Sequence, residues 1–325
     1  MIAISALRDA QQTLFEQTKV RRKVRCFFSE KNAAAFSKLR EAVSTYNRPD
    51  HLFEIKTFCG EFESAISEIQ DFVGSSFALI FIDPTGWAGY SFEKIKPLFA
   101  RRNCEVLINF MYAFVNRFVE ANDQDIIASL DPILGGPGWQ NRLDQTLPRG
   151  EAVVSLFRQS LKAAGKFEFV VATKIDKPVE NRPHFFMAYG SKAYAGLKEF
   201  RNVEHKVLRA HAANRVSAKG RKQEEKSGVK DFFTDHEASV QAESVEEIVA
   251  ADMKKAGPAV IAMLRDVNEL QFKKIAGPLM ESYMLREPNV KDVLVDLARN
   301  GLLENTWGTG NRKPQDEDVI RLKTA

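Results

Sequence analysis

Apolar positions in the first 200 residues change period at a steady interval. Short runs rich in β-branched and aromatic residues occur at VRCFF (24–28), LFEIKTF (52–58), FALIFI (77–82) and EVLINF (105–110), with centres about 27 residues apart. Between them Phe62, Ala65, Ile66, Ile69 and Phe72 recur at helical spacing, as do Phe92, Ile95, Leu98 and Phe99. Continuous apolar strands alternating with amphipathic helices predict a parallel sheet covered on both faces. A further helix is marked by Val153, Val154, Leu156, Phe157 and Leu161. After it, KFEFVVATKI (166–175) and HFFMAYGS (184–191) are separated only by a Pro-containing loop, which predicts an antiparallel hairpin closing the sheet. The opening MIAISALRDAQQ reads as a helix with Ala3, Leu7, Ala10 and Leu14 on one face.

From about residue 236 the pattern becomes helix after helix, with SVEEIVAADMKKA (244–256) and ELQFKKIAGPLMESYML (269–285). Pro288 and Asn289 then start a helix whose apolar face is Val290, Val293, Leu294 and Leu297, and Asn300 with Gly301 supplies its stop. LLENTW (302–307) and VIRLK (319–323) follow as two strands across a loop rich in Gly, Asn, Arg and Lys. Helices followed by a two-stranded wing describe a winged helix. Such a module serves as a protein interface or contacts nucleic acid, here through Lys291, Arg299, Arg312 and Lys313. The expected organisation is an α/β domain over 1–207, a basic linker over 208–235 and a winged-helix domain over 236–325.

Composition narrows the classes. A chain of 325 residues is long enough for two domains, and 44% hydrophobic with 28% charged residues excludes wholesale disorder. The longest clean apolar run, FALIFI, is far below the roughly 20 residues that cross a bilayer, and the N-terminus lacks the features of a secretory signal, so a cytoplasmic protein with no membrane partner is expected. Cys26, Cys59 and Cys104 are too dispersed for a disulfide framework or a paired-ligand zinc site and read as buried free thiols. The five histidines form no HExxH or HxxxH pair, and no GxSxG elbow or GxxxxGK[ST] loop is present, so no metal site is predicted. The net charge of +4 is uneven: between His205 and Lys230 eight bases, Arg221 and Lys222 among them, face two acids. That segment is a solvated linker or a phosphate-attracting arm.

In parallel α/β sheets ligands sit beyond the carboxyl ends of the strands. There this chain places Glu30 after CFFS, Glu61 after FCG, Asp83 after FALIFI, and Asn109 near the end of EVLINF. Each alone is an ordinary cap or turn former. Their repetition points four polar side chains at one expected rim.

Taken together, these segments resemble the three-Cys-motif partner proteins, a prokaryotic family with a class I methyltransferase-like domain followed by a winged helix. The resemblance rests chiefly on FIDPTGWAGYSFEKIKPLFARRNCEVLINFMYAFVNRF (81–118), read as strand, D-P-x-G loop, helix, and L-I-N-F strand with a trailing N-R. FFSEKNAAAFSKLR (27–40), LGGPGW (134–139) and HFFMAYGSKAYAGLKEFRNVEHKV (184–207) support it. It implies a Rossmann-like class I methyltransferase sheet, methyl transfer from S-adenosylmethionine to a nucleic-acid substrate presented by the winged helix and basic linker, and a radical-SAM-like three-Cys-motif partner. By this analogy Glu30 accepts the ribose hydroxyls, Glu61 and Phe62 hold the adenine, Asp83 and Pro84 lie beside the sulfonium and the methyl acceptor, and Asn109 with Phe110 shapes the acceptor pocket. The family's first strand and glycine-rich turn have no counterpart here, so the implied sheet is N-terminally truncated and half of the cofactor site is missing. LGGPGW lies well after EVLINF and does not replace that turn. Two other functions remain open: a catalytically inactive adaptor that binds the three-Cys partner, and a winged-helix DNA-binding regulator.

Overall fold

Parallel pairing begins at the first two predicted strands. The computed structural model describes residues 2–46, 52–84, 90–112, 124–180, 182–227, 234–308 and 312–323, with the side chains of Ile126 and of 222–243 outside the description. The molecule is mixed α/β and divides into two units, one formed by residues 1–78 and 90–103, the other by 79–89 and 104–325.

In the first unit, β1 (Val24–Glu30) and β2 (Phe53–Cys59) run parallel, with Val24 opposite Phe53 and Glu30 opposite Cys59. Helices α1 (Ile2–Thr18) and α2 (Ala33–Ser44) contribute Ile4 and Val43 to a core with Cys26, Phe53 and Ile55. Burial in that core pushes the Cys26 thiol pKa up. Helix α1 forms as expected, but its packed face is Ile4, Arg8, Gln11 and Phe15, whereas Ala3, Leu7, Ala10 and Leu14 are exposed. The polar members of that face have definite work: Gln11 Nε2 donates to the Arg22 and Leu52 carbonyls, and the Arg8 guanidinium lies 5.9 Å from the Tyr46 and Phe53 ring centres. Edge carbonyls flanking the strands need donors, and this need outweighs the burial of two leucines.

The other face of β1 meets α3 (Ile66–Val73), where the Phe27 and Phe72 rings pack edge-on at 5.6 Å. A 3-10 turn over Phe62–Ala65 precedes α3, so the predicted Phe62-to-Phe72 helix starts as a tighter coil. Helix α4 (Phe92–Phe99) buries the expected four residues Phe92, Ile95, Leu98 and Phe99. Its entry is held by Glu63, whose carboxylate accepts the Ser91 N–H at 2.9 Å and pairs with Lys94 at 2.7 Å.

A second, four-stranded mixed sheet has the order β3-β4-β6-β5, with β3 (Ala78–Ile82), β4 (Cys104–Phe110), β5 (Phe169–Asp176) and β6 (Pro183–Ser191). The predicted hairpin is present, since β6 runs antiparallel to both β5 and β4. The single sheet expected from the four runs is absent among the described residues: the first two runs pair with each other and the last two lie in the larger sheet. Cys104, Val106, Ile108 and Phe110 alternate into the core on one face of β4, and Phe110 stacks at 4.1 Å on Phe157. Phe157 belongs to a helix, α6 (Arg149–Gly165), that follows α5 (Gln124–Leu134). Cys104 is buried like Cys26, but Cys59 is exposed, contrary to expectation. Each lies on a strand, and Cys59 is exposed because it ends β2 where the chain leaves the sheet.

Helix α7 (Tyr194–Ser227) runs without a break through 208–227, so most of the segment read as a basic linker is helix. It pairs with α8 (Thr234–Arg265), and the next elements are β7 (Glu269–Gln271), α9 (Phe272–Ser282), α10 (Glu287–Arg299) and β8 (Val319–Arg321). The stretch ELQ, expected at the start of a helix, is instead the strand that pairs antiparallel with β8, and LLENTW contributes only a bridge between Leu303 and Leu322. One core joins Phe169 and Val171 of β5 to Leu197 of α7, Val260 of α8, Phe272 of α9 and Leu294 of α10. Among the described residues no helix is long and apolar enough to cross a membrane.

A buried ion pair fixes this junction. Arg201 and Glu204 of α7 pair with side chains about 5% and 4% exposed; Arg201 donates to the Met280 carbonyl, and Glu204 accepts the Thr173 hydroxyl. Removing the carboxylate strands a buried guanidinium, so Glu204→Ala is expected to lower stability by about 3–5 kcal/mol, read as a lower urea midpoint. Glu204→Gln, which retains an acceptor for Thr173, should lose less; equal midpoints for Glu204→Ala and the native chain would refute the role.

Candidate functional site

Two of the strand-end residues are brought into direct contact. Asp83 and Pro84 follow β3, Asn109 is the penultimate residue of the neighbouring β4, and Asn109 Nδ2 donates to Asp83 Oδ1 at 2.7 Å. Asp83 is exposed, while Pro84 and Asn109 are half-buried. The Asn109 Oδ1 atom is buried and has no hydrogen-bond partner among the described residues. Phe110 turns the other way, into the core against Phe157, and supports this rim from beneath. Strand alternation is the reason: adjacent residues of β4 project to opposite faces.

Tyr112 is a member of this rim that sequence reading passed over. It is half-buried, its ring meets Phe186 edge-on at 5.1 Å, and a Cβ on Gly150 would collide with its hydroxyl oxygen, so Gly150 makes room for it. The available signal was an aromatic immediately past a strand end that already carried Asn109. The 85–89 portion of the D-P-x-G loop and the Asn116-Arg117 pair fall outside the described residues.

Glu30 and Glu61 are also brought to one rim, that of the parallel pair in the first unit. Glu30 ends β1 opposite Cys59, its carbonyl accepts the Gly60 N–H at 3.0 Å, and Glu61 follows at once. Gly60 has φ +152°, and a Cβ there would lie 2.8 Å from the Phe58 ring, so the turn that delivers Glu61 requires glycine. Glu30 Oε1 accepts the Asn32 N–H at 2.8 Å, and Asn32 in turn caps α2 through the Ala35 N–H. One carboxylate oxygen of Glu30 thus organises the turn. Glu61 is exposed and Phe62 half-buried.

The glycines of LGGPGW do structural work. Gly135, Gly136 and Gly138 have φ of +87°, +97° and +74°, Trp139 is fully buried, and Arg142 donates to the Leu134 carbonyl beneath Gly135. The Arg142 side chain occupies the space beside Gly135, whereas the space beside Gly136 and Gly138 is open.

The predicted nucleic-acid contacts differ in character. Lys291 is largely buried, ion-paired with Glu287 at 2.8 Å and 5.3 Å from the Phe272 ring centre, so its charge is neutralised inside the fold. Arg299 is exposed beside Asp296 at 3.4 Å, and Lys313 is paired with Asp292. Arg312 and, on α7, Arg221 are exposed; the Lys222 side chain lies outside the described residues. Arg215 of the basic segment is used internally, donating to the carbonyls of Lys177 and Glu180 at the β5–β6 turn.

No protein-family model matches this chain, and neither does any curated protein or solved structure.

Around Glu287, burial pushes the carboxyl pKa up, but hydrogen bonds from Lys291 and Lys198 outweigh it and hold the group below the usual glutamate value. The contact therefore contributes its full stability above the ordinary carboxylate pKa and loses it as pH falls through the lower folded value. Glu287→Gln is expected to flatten the acid limb of a stability-against-pH profile; a native-like acid limb in that variant would show that the pair contributes nothing.

Proposed function

We propose that the chain is a methyltransferase of the three-Cys-motif partner type, using S-adenosylmethionine and acting on nucleic acid in concert with a radical-SAM-like partner. The observation that carries this reading is the strand pairing. Numbering the four runs as strands 2 to 5 of a doubly wound sheet of order 3-2-1-4-5, the neighbours that do not involve strand 1 are 3-2 and 4-5. Those are the observed neighbours, β2 with β1 and β3 with β4. The order α8, β7, α9, α10, Leu303 bridge, β8 supports a winged helix at the other end.

The fit of the cofactor is partial and specific. Glu30 and Glu61 at one strand-end rim, with Phe62 beside them, suit the hydroxyls, exocyclic amine and ring face of its nucleoside half. No strand followed by a glycine-rich turn for its methionine half stands among the described residues, and in LGGPGW the space beside Gly135 is taken by Arg142. When bound, the cofactor supplies a methyl group on a sulfonium that is already activated. The chain's contribution is to hold and orient the acceptor at the Asp83–Asn109 rim.

Calorimetric titration with S-adenosylmethionine and with S-adenosylhomocysteine tests the reading. Binding should be measurable, and Glu30→Ala should weaken it by about 1–3 kcal/mol, the value of charge-assisted hydrogen bonds left unmade. Absence of heat with both ligands would remove the cofactor from the proposal.

A second reading, an adaptor without catalysis, is favoured by β3. Phe77, Leu79 and Phe81 alternate along this segment at 59%, 59% and 57% exposure, and among the described residues only β4 pairs with the strand. An uncharged edge without proline or lysine is the kind that pairs with another extended chain. Under this reading Leu79→Lys abolishes co-purification with a three-Cys-motif partner while S-adenosylmethionine is ignored; retained co-purification would discard the edge as the contact.

A further inference from the structure

Asp83 and Asn109 present an unusual surplus of acceptors at the ends of β3 and β4. An ionised carboxylate has no hydrogen to give, so the amide group of Asn109 that faces Asp83 at 2.7 Å must be its NH2. That bond fixes the amide orientation and directs the carbonyl oxygen away from Asp83. The oxygen so directed is buried without a partner among the described residues, a state that native folds rarely leave unexplained. Beside it, the exposed Asp83 carboxylate retains lone pairs beyond the one used by Asn109. Aromatic surface lies close in sequence and register, since Tyr112 follows two residues after Phe110 and packs on Phe186, the residue opposite Phe110.

We propose that Asp83 and Asn109 act as an acceptor pair that selects an amino group, so that the nucleic-acid substrate presents a base with an exocyclic amine at this rim. The amine of cytosine or adenine offers two N–H donors to two neighbouring acceptors. Uracil and hypoxanthine place a carbonyl oxygen at the corresponding position, where it would face two oxygens and leave both unsatisfied. This inference rests on the nucleic-acid reading above and deepens it by naming the substrate class. It involves binding alone and is independent of the cofactor.

The test uses the full chain and fluorescein-labelled single-stranded oligonucleotides at one fixed salt concentration, comparing oligo(dC) with oligo(dU) and oligo(dA) with oligo(dI) by fluorescence anisotropy. A preference of about tenfold or more for the amine-bearing member of at least one pair is expected, the scale of a good two-bond base contact. Asn109→Leu should abolish the preference. Should that variant fail to fold by circular dichroism, Asp83→Ala, at an exposed position, serves the same purpose. Equal affinities within both pairs, or no oligonucleotide binding, overturn the proposal, as does a preference that survives both substitutions. Parallel titration with S-adenosylmethionine separates the two claims: cofactor binding without amine preference rejects this inference alone, and amine preference without cofactor binding rejects the methyltransferase reading alone.

Discussion

A buried arginine organises the larger unit of this protein. Arg201 lies on α7 with its guanidinium shared between Glu204 and the last turn of α9, and Glu204 passes the contact on to Thr173 in β5. A charge in such surroundings is tolerable only when every donor is met. Sheet, long helix and C-terminal helices therefore share one geometric requirement as well as one apolar core. A second polar contact repeats the connection from α9: Glu281 accepts the Val170 N–H of β5 at 2.9 Å and pairs with Lys162 of α6 at 2.6 Å, while Arg158 donates to the Val170 and Glu281 carbonyls. These bonds occupy β5 backbone groups that would otherwise need another partner.

The rim at Asp83 and Asn109 depends on the same sheet. β4 is held between β3 and β6, so the position of Asn109 is set by strand pairing. Phe110 is anchored beneath it on Phe157 of α6. Rigid strands fix the spacing of the two polar side chains at their ends, because each is carried by a paired backbone. In the smaller unit the parallel pair does likewise for Glu30 and Glu61, with Gly60 permitting the turn between β2 and Glu61.

Much of the site was readable from the chain because strand ends are marked by a change from apolar to polar residues. Asp83 after FALIFI and Asn109 inside EVLINF were visible in that way, and their mutual hydrogen bond followed from adjacency of the two strands. Tyr112 was not, since its place depends on Phe186 and Gly150, 74 and 38 residues away in sequence. The character of the bases was equally hidden. Lys291 and Arg312 are alike in sequence, but Glu287 and Phe272 enclose the first, whereas the second is exposed.

The sequence alone determined the elements: the period-two and period-3.6 runs located β1 to β6 and the buried face of α4, because burial of apolar side chains is a local pattern repeated along each element. Tertiary structure alone decided which face of α1 packs, why Cys59 is exposed while Cys26 is not, and that residues 208–227 continue a helix. It also decided that the four runs divide into two sheets. Those outcomes turn on which distant carbonyl needs a donor and which strand finds a neighbour, and hydrogen bonds between residues far apart in the chain leave no period in the sequence.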